Sequence, residues 1–287
     1  MRSDGKFTLR EFVIEKWEIN RPLSLIPFGD VHRDSPAHSS SKWEEFLAYA
    51  KTKPDAVFLG MGDYFDSFST SERILMSNPL IHDSSRQNFE SAAKLKISEM
   101  SNELMDFKGR FVGLLSGNHF VQFADGTNSD MRLAGILETE YLGVCSAIRI
   151  VFRGLHGTCT VSVDVFAHHG KGGGQTAGGR LNAVEKLAQI AEADIFLMGD
   201  NHARGAIPIG DKLRIVGGGK NISIRSRQSW IGRTGSFLKA YEPGEVSYVV
   251  DRALQPSNLG WIEFILTPRR SRDEGEDRMT VDIGSIQ

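Results

Sequence analysis

Two aspartates that follow an apolar run form the strongest candidate for a chemical site in this sequence. Asp63 and Asp66 belong to a Gly-Asp-Tyr-Phe-Asp motif that begins at Gly62, directly after the run 57–61. Because glycine permits a sharp turn, Asp63 can present its carboxylate at the carboxyl end of a buried strand, and Asp66 can reach the same place. The alternative is a Gly-Asp turn that caps a following helix.

Four further apolar runs end in aspartate, asparagine or histidine. The motifs are Asp30-Val31-His32, Gly117-Asn118-His119, Ala167-His168-His169-Gly170 and Gly199-Asp200-Asn201-His202. Since ligands bind at the carboxyl ends of strands in α/β sheets, we expect side chains from all five motifs to converge. The expected set comprises Asp30, His32, Asp63, Asn118, His168, Asp200 and His202.

The chemistry of this set points to metal ions. It contains oxygen and nitrogen ligands and no sulfur, a combination that suits hard to borderline divalent metals. Seven side chains are too many for one ion. The sequence therefore predicts two metal ions that share one carboxylate.

The elements that must position these residues alternate between strands and helices. Apolar or alternating composition predicts strands over 22–28, 57–61, 110–115, 160–166 and 194–198. Helices are predicted over 41–50, from 84 to the stop at Gly109, over 128–137 and over 181–190. A capping box formed by Ser41 and Glu44 is expected to begin the first helix. This order is typical of an α/β fold.

The rest of the chain is predicted to be less regular. We expect a polar lead before residue 22, a rim loop over 67–83, an irregular section before Arg153 and a glycine turn at 217–219. A hairpin over 206–216 and short strands over 228–231 and 261–266 are predicted beyond the last motif. From Pro268 the chain is highly charged. The prediction is one domain over 1–267, followed by a poorly ordered tail over 268–287.

Composition argues against several classes of protein. The chain has 287 residues, 40% of them hydrophobic, and a net charge of -2. Two cysteines are too few for a disulfide framework, and there is no CxxC pair to suggest zinc or redox chemistry. The N-terminus lacks an apolar signal core, and no apolar stretch approaches the length that a bilayer requires. We therefore expect a soluble, cytoplasmic protein without a membrane partner.

In this order, the five motifs resemble the signatures of the calcineurin-like metallophosphoesterases. Those signatures are Asp-x-His, Gly-Asp-x-x-Asp, Gly-Asn-His followed by an acid, a lone histidine and Gly-His-x-His. The resemblance covers roughly residues 24–203. It implies a four-layer α-β-β-α sandwich with two packed mixed sheets. It also implies hydrolysis of a phosphomonoester or phosphodiester by a hydroxide that bridges two divalent metal ions.

The same resemblance implies two metal-binding sets bridged by Asp63. The first set comprises Asp30, His32 and His202. The second set comprises Asn118, His168 and Asp200.

The resemblance also implies the catalytic groups. His119 would be protonated and would donate to the leaving oxygen or stabilise its charge, while Asp66 would orient its ring. The family has an acid after this histidine, whereas the present chain has Phe120. This departure removes no metal ligand.

A second departure concerns Asp200, which stands where the family has histidine. Three acids would then surround two dications, so manganese, iron or magnesium should be favoured over zinc. Aspartate is also shorter than histidine, and we therefore expect the second metal site to be the weaker one. The alternative is that Asp200 only caps the following turn.

The adjacent histidines and the following loop leave alternatives open. At most one of His168 and His169 can point toward the inward ligands. We expect His168 to be the ligand because it comes first after the strand, and His169 to contact phosphate or face solvent. The glycine-rich loop fails the P-loop pattern because Gly172 follows Lys171. Lys171 is expected to help hold a substrate phosphate, unless this loop is only a flexible connector.

Basic residues outnumber acids by seven to one between positions 205 and 240. They are Lys212, Arg214, Lys220, Arg225, Arg227, Arg233 and Lys239. This strip favours nucleic acid or a nucleotide as the substrate class, although a solvated charged face has the same composition. The competing hypothesis is a protein that kept the fold, lost catalysis and binds phosphate or a nucleotide.

Overall fold

The structure is a computed structural model. It describes residues 5–66, 82–154, 160–170, 176–216, 218, 222–241, 250, 256, 258–273 and 276–286. Residues 67–81 of the predicted rim loop, Lys171, and positions 217 and 219 of the predicted glycine turn lie outside the described residues.

The described residues form eleven strands. In chain order these are β1 (Phe7–Trp17), β2 (Leu23–Phe28), β3 (Val57–Gly60), β4 (Phe111–Leu114), β5 (Cys145–Gly154), β6 (Thr160–His168), β7 (Ile195–Met198), β8 (Arg204–Val216), β9 (Ser223–Thr234), β10 (Glu263–Asp273) and β11 (Glu276–Ile286). The four described α-helices are α1 (Ser40–Lys51), α2 (Asp83–Leu104), α3 (Ser129–Ile136) and α4 (Ala177–Glu185). Short 3₁₀ turns, Met105–Phe107 and Lys186–Gln189, extend α2 and α4.

The strands form two mixed sheets. The larger sheet has the order β1-β5-β6-β7-β9-β8, and the smaller has the order β11-β10-β2-β3-β4. In the smaller sheet β2, β3 and β4 run parallel, and in the larger sheet β6, β7 and β9 run parallel. Each sheet therefore has a group of strands whose carboxyl ends lie side by side.

Apolar side chains hold the sheets and helices in layers. One buried cluster fills the space between the two sheets and includes Leu25, Leu59, Ile150, Leu197 and Phe264. A second cluster joins the smaller sheet to α1, α2 and α3, and a third joins the larger sheet to α4. Helices thus cover the outer face of each sheet. This architecture confirms the predicted α/β fold with a four-layer α-β-β-α arrangement.

All five strands predicted to carry the motifs are present, but two neighbouring strands were missed. The expected polar lead contains β1, and the expected irregular section contains β5; the two pair in parallel from Phe7 with Cys145 to Trp17 with Gly154. Charged residues interrupt β1, which lies at the edge of the larger sheet, and they obscure its alternation.

The prediction of a poorly ordered tail is wrong for the described part of residues 268–287. Strand β10 continues through Pro268 to Asp273, and β11 pairs with it in antiparallel register from Glu263 with Ile286 to Asp273 with Glu276. Val281 and Ile283 on β11 pack against the cluster between the sheets. The high density of charged residues led to the prediction of disorder. An edge strand, however, needs apolar side chains only at alternate positions.

The predicted start of the first helix also differs from the structure. Helix α1 begins at Ser40 with Ser39 as its N-cap, and no side-chain hydrogen bond caps it. The capping box expected at Ser41 and Glu44 does not form at the N-cap position. Burial of Trp43 and Phe46 against the smaller sheet stabilises the helix instead.

Among the described helices, none combines the length and the apolar composition needed to span a bilayer.

Candidate metal centre

The five motifs meet where the parallel strands of the two sheets end. The motifs after β2, β3 and β4 come from the smaller sheet, and those after β6 and β7 come from the larger one. Because the sheets pack face to face, their carboxyl edges form one cleft that neither sheet could form alone.

Five residues of the motifs have left-handed backbone conformations. The φ angles are 49° for Asp30, 46° for His32, 52° for Asp63, 63° for Asp200 and 53° for His202. For residues with a Cβ atom this conformation costs about 1–2 kcal/mol each. Such strain at five positions of one cleft indicates that the surrounding structure holds these side chains in required places.

Glycines let the turns of the cleft approach one another. Gly62 has a φ angle of 98°, and an added Cβ there would lie 2.6 Å from Nδ1 of His169. A Cβ on Gly117 would overlap Oδ1 of Asp63. These two glycines therefore permit the contacts that bring the motifs after β3, β4 and β6 together.

Asp63 lies at the centre of the cleft and is buried. Its Oδ1 accepts hydrogen bonds from the backbone N–H groups of Asn118 (2.7 Å) and His119 (2.9 Å). Its Oδ2 lies 3.3 Å from Nε2 of His169 and 4.0 Å from Nε2 of His32. Burial opposes ionisation, but the nearby histidines outweigh it and hold the pKa of Asp63 below its usual range. One oxygen is thus fixed by amides while the other faces the candidate ligands.

Asp30 is a second buried acidic group in the cleft. Its carboxylate accepts the backbone N–H of Asp200 at 3.1 and 3.0 Å. Its carbonyl oxygen accepts from the Ser236 hydroxyl and the Phe237 N–H, both at 3.0 Å. Burial raises the pKa of Asp30, and His169 lowers it in part. A carboxylate buried in this way favours a bound cation.

The position of the adjacent histidines reverses the prediction made for them. His169 is buried, its Nδ1 lies 2.7 Å from the Met61 carbonyl oxygen, and its Nε2 points toward Asp63. Since a carbonyl oxygen only accepts, Nδ1 carries a proton and donates it. Nε2 is then the ring nitrogen that faces Asp63.

His168, the predicted ligand, lies apart from this group. Its Nδ1 accepts the N–H of Gly170 at 2.8 Å, and its ring lines a groove on the outer face of the larger sheet. The strand pleat therefore turns His168 outward, and His169, which was expected to contact phosphate or solvent, is the histidine that faces Asp63.

Asp66, His119 and His32 form a connected group at the mouth of the cleft. Oδ1 of Asp66 lies 3.2 Å from Nδ1 of His119 and 3.3 Å from Nδ1 of His32. Burial opposes protonation of His119, but the hydrogen bonds to Asp66 and the negative charges of Asp63 and Asp66 together outweigh it and raise the pKa of His119. The same two histidines hold the pKa of Asp66 low against the effect of burial. This is the spatial relation predicted for His119 and Asp66.

Asp200 lies close to both adjacent motifs. Its Oδ1 accepts from Nδ2 of Asn118 at 2.8 Å and lies 3.8 Å from Nε2 of His169. The side chain therefore extends into the cleft and reaches two of the residues expected beside the second metal. A cap of the following turn would not require either contact.

The buried donor atoms fit a metal centre. The groups Asp30 with His32 and His202, and Asp30 with Asp63 and His169, each bring one ligand atom per residue within 4.8 Å of the others. Among the described residues, Nε2 of His32, Nε2 of His169 and Oδ2 of Asp200 are buried without a hydrogen-bond partner. Burial lowers the pKa of His202 to about 3, which keeps its imidazole in the neutral form that binds metals. Unpaired buried nitrogen and oxygen atoms of this kind are what divalent cations satisfy.

Two supporting residues were not predicted from the sequence. Asp130 is buried at the start of α3, and burial raises its pKa to about 7. Arg233 on β9 is buried and donates from Nη1 to the carbonyl oxygen of Gly199 at 2.6 Å, directly before Asp200. Neither residue belongs to one of the five motifs. Their burial, which only the tertiary fold reveals, is what identifies them as supporting residues.

The predicted basic strip is only partly described. Arg233 was counted in that strip, but it is buried behind the Gly199–Asp200 turn and is not a surface cation. Lys220 and the side chains of Lys212, Arg214, Arg225 and Arg227 lie outside the described part of the structure.

The fold and the cleft define a class of protein, namely a two-sheet α/β protein with a buried aspartate and histidine centre that can hold metal ions. No protein-family model matches the chain, and no curated protein matches its sequence. Among solved structures, the chain is similar to Vacuolar Protein Sorting 29 from Cryptosporidium parvum. The identity is 13% and the TM-score is 0.36, over 92% of this chain and 99% of that chain.

Proposed function

We propose that this protein is a metal-dependent phosphoric ester hydrolase with a binuclear centre. The observation that carries the proposal is the convergence of five strand-end motifs on one cleft, with Asp63 and Asp30 buried beside His32, His169 and His202. The motif order supports the same reaction through its resemblance to calcineurin-like metallophosphoesterases.

The ligand assignment follows the side chains that the structure brings together around Asp63. Asp30, His32 and His202 would hold the first ion, and Asn118, His169 and Asp200 would hold the second, with Asp63 between them. When bound, two divalent cations supply a water of lowered pKa and neutralise charge on the phosphoryl oxygens. His169 replaces His168 in this assignment because its Nε2 faces Asp63.

The proton needed by the leaving group would come from His119. Its ring is half-buried at the mouth of the cleft, and Asp66 holds its Nδ1 at 3.2 Å. Because a proton on Nδ1 faces the carboxylate, the opposite nitrogen is available to donate to a leaving oxygen. Asp66 also contacts His32, so one carboxylate would orient both the acid and a metal ligand.

The acidic character of the centre favours manganese, iron or magnesium over zinc. Asp30, Asp63 and Asp200 would surround the two ions, and Arg233 places a buried cation behind Asp200. We propose that the second ion is held more weakly, because aspartate is shorter than the histidine of the family pattern.

Nucleic acid or a nucleotide is the favoured substrate class within this proposal. The support is the excess of basic residues between positions 205 and 240. Lys171 and the glycine-rich loop would contact a substrate phosphate. A parallel screen of single-stranded DNA, duplex DNA, cyclic nucleotides and phosphomonoesters would identify the class, and inactivity on all nucleic acids at low salt would contradict it.

The reaction is tested by metal analysis and by hydrolysis of bis(p-nitrophenyl) phosphate with added manganese. We expect bound divalent metal and turnover in the wild type, and His119→Ala should lower kcat by about 10²- to 10⁴-fold while metal is retained. His82→Ala is the matched control because His82 is an exposed histidine at the start of α2.

Two results would contradict the proposal. No turnover with any divalent ion and any phosphoester would exclude a hydrolase. Binding of phosphate or nucleotide that is unchanged in His119→Ala, together with no turnover in the wild type, would support the non-catalytic protein instead.

A further inference from the structure

Asp130 is the most deeply buried acid of the described residues that the reaction does not use directly. Its carboxylate has no exposed surface. Oδ2 accepts the Ser116 hydroxyl at 3.0 Å and the Gly117 N–H at 3.2 Å, and Oδ1 accepts the Ser129 hydroxyl at 3.1 Å. A buried carboxylate is retained only where hydrogen bonds compensate its desolvation.

The first turn of α3 holds the segment 116–121 at both ends. Asp130 binds Gly117 at one end, while at the other end Ser129 accepts the Val121 N–H through its hydroxyl (3.2 Å) and donates its own N–H to the Val121 carbonyl oxygen (2.9 Å). Asn118 and His119 lie between these two attachments. Their position relative to α3 is therefore set by contacts that are outside the cleft.

Three consecutive amides in this segment donate to two carboxylates. The Gly117 N–H donates to Asp130, and the N–H groups of Asn118 and His119 donate to Oδ1 of Asp63. Gly117 also packs so closely on Asp63 that an added Cβ would overlap its Oδ1. A shift of Gly117 would consequently move both amides away from Asp63.

We infer that Asp130 is a positioning residue that fixes Asn118 and His119 against Asp63. The inference rests on the proposed function for the roles of those two residues. The family pattern has an acid directly after His119, where this chain has the buried Phe120, and Asp130 instead provides a buried carboxylate to the same segment. Helix α3 places Asp130 there although it lies 13 residues after Gly117 in the chain.

The test compares Asp130→Ala and Asp130→Asn with the wild type. Asp130→Ala removes every acceptor of this side chain. We expect kcat to fall about 10- to 100-fold with little change in KM. The manganese affinity of the weaker site should fall by a similar factor. Asp130→Asn keeps an oxygen that can accept the Gly117 N–H, so it should recover most of both losses. Asp125→Ala is the control, because Asp125 is an exposed acid just before α3 that pairs with Arg132.

Hydrogen exchange of the Gly117, Asn118 and His119 amides provides a readout that needs no turnover. These amides should exchange faster in Asp130→Ala than in Asp130→Asn or Asp125→Ala. If the wild type hydrolyses nothing, the proposed function fails, while exchange and manganese affinity still decide the role of Asp130. Should Asp130→Ala not fold, Asp130→Ser takes its place because serine is too short to reach Gly117. Exchange, affinity and kcat within twofold of wild type in the Ala or Ser variant would overturn the inference.

Discussion

At the scale of single residues, the cleft depends on backbone conformations that most side chains avoid. Five of its polar residues have positive φ angles, and the turns that carry them touch through glycines. Packing of the two sheets offsets the strain of these backbone conformations. As a result, carboxylates and imidazoles from the five motifs point toward one place.

Gly117→Ala tests how closely the turns must approach. An added Cβ would overlap Oδ1 of Asp63, so Asp63 must move, and we expect loss of metal binding and at least a 100-fold fall in kcat. Metal content and kinetics with bis(p-nitrophenyl) phosphate measure the effect.

Gly135→Ala is the matched control for this prediction. Gly135 lies within α3, and an added Cβ there meets nothing within 4 Å. This variant should keep full activity and gain up to about 1 kcal/mol in the free energy of unfolding, since alanine is the better helix former. Equal behaviour of the two variants would show that the contact with Asp63 has no role.

Asp200→His tests the departure from the family pattern. A neutral imidazole would reduce the negative charge of the centre and restore a softer ligand, so the second site should bind more tightly and shift its preference toward zinc. Titration with manganese and zinc, followed by metal analysis, measures both changes. If stoichiometry and metal preference stay unchanged, Asp200 is not a ligand.

At the scale of elements, the charged C-terminal segment is a strand because one of its faces is apolar. Val281 and Ile283 on β11 pack toward the cluster between the sheets, while the Arg269 and Asp282 side chains pair across the strands at the surface. The hairpin β10–β11 thereby extends the smaller sheet, whose parallel strands carry Asp30, Asp63 and Asn118.

Ile283→Ser tests whether β11 contributes to the folded core. Because Ile283 is partly buried, this change should lower the free energy of unfolding by about 1–3 kcal/mol in urea titrations. Ile286→Ser, at the half-exposed end of the same strand, should change it by less than about 0.5 kcal/mol. A poorly ordered tail would make both variants indistinguishable from the wild type.

At the scale of the whole molecule, the candidate metal centre joins the two sheets. Asp30, His32, Asp63 and Asn118 follow strands of the smaller sheet, whereas His169, Asp200 and His202 follow strands of the larger one. Ions bound there would link the carboxyl edges of both sheets. They would also compensate the repulsion among three buried or half-buried carboxylates.

Metal removal should therefore lower the stability of the folded protein. Manganese at 100 times its dissociation constant should raise the free energy of unfolding by about 2.7 kcal/mol over the metal-free protein, because the unfolded chain lacks the assembled centre. Thermal unfolding with manganese and with a chelator measures the difference. Asp63→Asn should abolish it, whereas Asp125→Asn should leave it intact; an unchanged Tm in the wild type would contradict a bound metal.

The strands that end in motifs and the alternation of strands and helices follow from the sequence alone, and so does the placing of six of the seven expected ligand side chains in one cleft. These features are local: an apolar run, a glycine and an acid or histidine lie within a few residues of one another, and their order along the chain places them at strand ends. The roles expected for His119 and Asp66 also followed from their motifs, and the structure brings the two side chains within 3.2 Å.

Tertiary structure sets which of His168 and His169 faces Asp63, because adjacent residues of a strand differ solely in the face to which the pleat directs them. It also revealed Asp130 and Arg233, whose importance comes from burial against residues that are distant in the chain. The strands β1, β5 and β11 were likewise not predicted, because they form by pairing with strands that local sequence patterns do not identify. Long-range packing sets the face, the burial and the partner of a residue, and a single sequence records none of these directly.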